Sequence, residues 1–113
     1  LDVIVSKKRW CRGLGCVRAA LLCDTGNNMC CIGFLARTCG LKPQDIRGRA
    51  SLSSLDGDVI AKSVVLNTMQ QTKEDLLDEA YSANDDRDMT DEQRIKELKP
   101  VGRKLGVNFI FAD

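Results

Sequence analysis

The side chains best suited to chemistry are six cysteines, Cys11, Cys16, Cys23, Cys30, Cys31 and Cys39, gathered between residues 11 and 39. Thiolates bind zinc well, and four of them complete a site without histidine, a residue this chain lacks entirely. Structural zinc knuckles pair cysteines two to four residues apart, whereas the gaps here are four, six, six, zero and seven residues. No Cys-x-x-Cys occurs to support redox chemistry. An even count invites disulfides, but three of the cysteines fall on one predicted helix and three on the next, and disulfide scaffolds spread theirs over strands and turns. The expectation is therefore reduced, mainly buried cysteines acting as small hydrophobes, with no cofactor and no metal ligand assigned. Zinc and disulfides stand as the alternatives.

Without histidine, neither a Ser-His-Asp nor a Cys-His arrangement can be built, and the commonest general base at neutral pH is missing. A non-enzymatic protein is expected. Gly13-Leu14-Gly15 resembles the start of a phosphate loop, yet Arg18 stands where a third glycine is needed, so close helix packing is the simpler use. Asn84, Asp86, Asp88, Thr90 and Glu92 alternate like a calcium loop, but Met89 replaces the turn glycine and Ile95 the bidentate Glu. Helix termination followed by acidic residues at the next helix start explains them better. Two surfaces remain as candidate binding sites. One is a basic edge, Lys8, Arg9, Trp10, Arg12 and Arg18, able to hold a phosphate or stack a base; its plain reading is Trp10 as a core anchor beside solvated charges. The other is the acidic stretch at Asn84, Asp85 and Asp86.

The elements that must carry these residues follow from periodicity. Val3, Ile4 and Val5 predict a short opening strand, after which Ser6 caps a helix reaching about Cys23, with Trp10, Leu14, Val17 and Leu21 on one face. Residues 24–28 read as a turn. Met29 to Cys39 predicts an almost wholly apolar helix, the buried hub, with Gly40 as a left-handed stop. Residues 43–57 read as irregular, and 58–71 as helix, with a strand as the alternative around Val59, Ile60, Val64 and Val65. Thr72 with Asp75, and Thr90 with Gln93, predict two capping boxes opening helices. Asn84 onward ends the first, and Pro100 is expected to kink or split the second. Val107, Phe109 and Phe111 then alternate as a closing strand, whose natural partner is the opening one. The class is α+β, a helical layer with a small sheet formed by the N- and C-terminal strands.

A chain of 113 residues suits a single domain spanning residues 1–113. With 43% hydrophobic residues and five aromatics, its core must be mostly aliphatic. The net charge of +1 conceals an asymmetry: residues 1–50 carry nine Lys/Arg against three Asp, and residues 51–113 eight against thirteen acids. Halves of +6 and −5 suit pairing with each other, steering toward a charged partner, or homo-oligomers. No apolar run approaches a membrane span and the start lacks signal-peptide order, so no membrane partner is expected. Beginning at Leu1, the chain is expected to be processed or trimmed at its start.

Trp10, Gly26 in a polar turn, Cys30-Cys31-Ile32-Gly33-Phe34-Leu35 and the Gly40 stop together resemble a group of small phage and prophage accessory proteins. That group is marked by a Trp…Cys-Cys-Leu-Gly-x-Leu pattern, Ile32 here replacing the usual Leu. Asn84-Asp85, Thr90-Asp91-Glu92-Gln93 and Gly106-Val107-Asn108-Phe109 extend the likeness in order, while residues 42–70 match poorly. The resemblance implies a phage-encoded binder in a host cytoplasm, inhibiting a bacterial antiviral defence system by binding a host protein or sequestering a nucleotide-like signal. Nucleic acid is a less favoured partner. A zinc-stabilised nucleic-acid-binding or regulatory module, and a small nucleotide-acting enzyme using the acidic loop, are the rival expectations.

Overall fold

The computed structural model describes residues 1–13 and 20–113. Its strands are β1 (Asp2–Ser6) and β2 (Asn108–Ala112), and its helices are α1 (Cys31–Thr38), α2 (Pro43–Ile46), α3 (Gly57–Ile60), α4 (Val64–Thr72), α5 (Glu74–Asp85) and α6 (Asp91–Leu105), with a 3₁₀ turn at Leu52–Ser54. The α+β class follows directly. β1 and β2 pair in parallel, Val3 opposite Phe109 and Val5 opposite Phe111, so the whole helical layer forms the connection between them. Alternation drives Val3, Val5 and Phe109 inward, while Ile4 and Ile110 remain on the outer face.

α1 is the hub that its composition demands: every residue from Cys31 to Ala36 is buried, and it packs on β1, α2 and α5. It ends where Gly40 takes φ +96. There Leu41 N–H bonds the Ala36 carbonyl at 3.1 Å and Gly40 N–H the Arg37 carbonyl at 3.0 Å, the paired bonds that close a helix at a left-handed glycine. Gly33 serves a different need, because a Cβ there would run into the Leu21 backbone carbonyl. Its absence lets the chain at residues 20–22 lie directly on α1.

That chain is not helical, and here the structure corrects the expected helix from Lys7 to Cys23. Within its described part, Trp10 bridges to Met29 and Leu22 to Arg47, with Cys11 N–H bonding the Met29 carbonyl at 2.8 Å and Cys30 N–H the Ala20 carbonyl at 2.9 Å. Gly13 takes φ +47, outside the α-helical region. Arg18, Cys16 and the rest of residues 14–19 lie outside the described residues. Ser6 accordingly ends a strand rather than capping a helix.

The second half holds more of the pattern. The region expected as one helix over 58–71 is two, α3 and α4, and Ser63 caps the latter by accepting from Leu66 N–H at 3.2 Å. The Thr72 capping box does not form, since Thr72 belongs to α4 and its hydroxyl bonds the Thr68 carbonyl at 2.7 Å; this local bond competes with capping. Thr90 and Gln93 do close their box, at 3.2 and 2.9 Å. Pro100 lies inside an unbroken α6 rather than splitting it. Packing against α5 and β2 holds the helix across the missing bond, helped by Gly102, where a Cβ would meet the Phe109 ring. Among the described residues, no helix is long and apolar enough to cross a membrane.

Candidate functional site

Three of the marked residue types, the tryptophan, the cysteine pair and Asn-Asp, converge on one buried amide. Asn84, fully buried in the last turn of α5, accepts through Oδ1 from Trp10 Nε1 at 2.7 Å and from Cys31 N–H at 3.1 Å. Its Nδ2 donates to the Cys11 carbonyl at 2.9 Å and to Asp85 Oδ1 at 3.0 Å. Two acceptor and two donor positions are thus filled, the full capacity of the amide, which joins the first bridge region, α1 and α5. Burial pushes the Asp85 carboxyl above its ordinary range, against the opposing influence of the Asn84 donor and the Arg94 charge.

Beside this amide sits a charged cluster. Arg12 lies over the Trp10 ring at 4.8 Å and grips Asp91 with two bonds, Nε to Oδ1 at 3.1 Å and Nη2 to Oδ2 at 2.7 Å. Its Nη1 donates to the carbonyls of Lys7 and Trp10. Asp91 Oδ1 also accepts from Arg94 Nη1 at 2.6 Å. The Arg12 bond, with the Arg94 charge, holds the Asp91 carboxyl below its usual value. Arg94 is buried, and its Nη2 donates to the carbonyls of Asp86 and Met89. The acidic loop is therefore wound around a cation that sequence reasoning placed outside any site. Its signal was available: residues 94, 98, 101 and 105 share one helical face, and that face is the buried one.

The structure separates the sequence candidates accordingly. Trp10 is enclosed, its ring 4.8 Å from Phe111, so it offers no stacking platform. Arg12 and Asn84 are committed to the fold. Lys8 is exposed, and Arg9, also exposed, bonds the Asn27 carbonyl at 3.2 Å. Asp86 caps Asp88 N–H at 2.8 Å and lines a concavity. That concavity is a groove of about 1000 Å³ between α5 and α6. Asp75, Asp78, Glu79, Asp86 and Glu97 give it five carboxylates against Lys96 and Lys104, over a floor that includes Ala83, Pro100 and Val101.

The cysteines divide. Cys23, Cys30, Cys31 and Cys39 are free thiols, and burial drives Cys30 up to about 12 and Cys31 far upward as well. Cys11 departs from the reduced expectation in being disulfide-bonded; the spacing argument against disulfides assumed a helix from Lys7 to Cys23, and Cys11 instead sits beside the Trp10–Met29 bridge. Cys23 Sγ lies 3.7 Å from Cys11 Sγ. Among the described residues, no three His, Cys, Asp or Glu side chains gather as a metal site. Compared with protein families, curated proteins and solved structures, the chain matches none.

Proposed function

We propose that this protein is a non-enzymatic binding protein, a phage accessory factor that inhibits a bacterial defence system by engaging a host protein. One observation carries the reading. Trp10, Arg12, Asn84 and Arg94 are directed into the fold, while an open, charged groove faces solvent. The lack of histidine in the chain supports binding over catalysis. A protein partner is favoured over a nucleotide-like signal, because the groove is predominantly acidic and would repel phosphates, and because the sole tryptophan is enclosed.

The test is expression in a defence-bearing bacterial strain, with plating efficiency of phage and affinity capture read in parallel. The expected result is higher plating efficiency together with one stoichiometric host protein retained. Unchanged plating with nothing retained overturns the reading.

A further inference from the structure

We infer that the groove between α5 and α6 docks a cationic amphipathic helix of the partner protein, an inference resting on the protein-binding reading above. Shape is the first support. Two packed helices leave a trough whose α5 wall, twelve residues long, extends about 18 Å at 1.5 Å per residue, enough for a guest of about three turns. Its floor contains Ala83 and Val101, small enough to admit another helix closely.

Charge is the second support. The sequence of α5, EDLLDEAYSAND, holds five acids and no base. None of the groove's carboxylates takes part in an ion pair among the described residues, so the asymmetry between the halves of the chain is not neutralised there. Three of them, Asp75, Asp78 and Glu79, are exposed along one wall.

The third support is independent of the acids. Pro100 has no N–H, so the helical bond to the Lys96 carbonyl cannot form. Pro100 and Lys96 both line the groove, so the break in the α6 hydrogen-bond ladder falls on the face that borders it. A neutral guest donor, a Ser hydroxyl or a Gln amide, fits such a break. Lys96 and Lys104 on that wall set the orientation, with the guest's cationic edge against α5 and its neutral edge against α6.

The experiment uses fluorescence anisotropy with three labelled synthetic peptides of about 14 residues. One is amphipathic and helical, built from Ala, Leu and Lys; one replaces its Lys by Glu; one is a scramble of the first. Each is titrated with the full chain, with Asp75→Lys/Asp78→Lys/Glu79→Lys, and with the charge-matched Asp2→Lys/Asp24→Lys/Asp113→Lys, circular dichroism melts confirming both folds. The expected result is binding of the first peptide only, weakened at least about tenfold by the α5 reversal, as several modest surface pairs would give, and unchanged in the matched variant. No binding, equal binding of the scramble, equal loss in both variants, or self-association through this face overturns the inference. Host-protein capture that survives the α5 reversal removes the groove and leaves the binding function standing. A parent that captures nothing removes the function.

Discussion

Replacing Asn84 is expected to cost more than any exposed substitution in the chain. Asn84→Ala leaves the Trp10 indole and Cys31 amide without their acceptor and the Cys11 carbonyl without its donor, all buried. An orphaned buried polar group costs about 1–3 kcal/mol, so three of them, partly relaxed, give roughly 3–6 kcal/mol. A chain of this size has about 6–17 kcal/mol in total, and the melting temperature should fall by more than about 10 °C. Urea unfolding followed by the fluorescence of Trp10, the single tryptophan, measures it directly. Asn84→Asp sharpens the argument, because it keeps the shape and both accepted bonds but sets an oxygen where Nδ2 faced Cys11 and Asp85. Burial and the Asp85 charge raise the new carboxyl above its unfolded value of about 3.9. The destabilisation is therefore absent below that value and grows as pH rises through and beyond it. A loss below about 1 kcal/mol for the alanine variant, or a pH-independent loss for the aspartate variant, would show that the Asn84 amide does not join these elements.

Asp91→Asn should destabilise by about 1–2 kcal/mol, because it weakens the charge-assisted bond that the buried Arg94 donates to a carboxylate that is itself half-exposed. In the parent the Asp91 carboxyl is depressed, so its contribution is present above the unfolded carboxylate value and lost as pH falls through the folded one; acid unfolding of the variant should show a flatter slope below about pH 4. Gly33→Ala forces a methyl into the Leu21 carbonyl and is expected to cost at least about 2 kcal/mol in chemical denaturation. With an alkylating reagent and mass spectrometry at pH 8, Cys23 and Cys39, partly exposed, should react first, while Cys30 and Cys31 stay protected until the chain unfolds.

What could be read from the chain was what local pattern controls. Strand alternation at Val3–Val5 and Val107–Phe111, the apolar run of α1 with its Gly40 stop, and the Thr90–Gln93 box each carry their cause within a few residues. The segment from Lys7 to Cys23 failed because its helical spacing of Trp10 and Leu21 was coincidental. Trp10 is held by its bridge to Met29 and Leu21 by its backbone bond to Arg49, distant partners that no local period reports. The Thr72 box failed because the same hydroxyl had a nearer carbonyl. Candidate residues were legible as chemical types but not as roles. Trp10 and Asn84 lie 74 positions apart, and only the fold shows that each is the other's partner. Arg94 went unnoticed because a charge on an amphipathic helix reads as solvated unless its face is placed. The groove needed the pairing of α5 with α6, although the acid-only composition of α5 was in plain view.

Whether the protein acts by binding a protein through the α5–α6 groove is read most directly from zero-length carbodiimide cross-linking of the captured complex, with the joined peptides sequenced by mass spectrometry. The expected products join Asp75, Asp78 or Glu79 to lysines of one helical segment in the partner, at a yield that falls when those acids are reversed. Cross-links confined to other faces, or a complex whose yield ignores the reversal, would contradict binding through that groove.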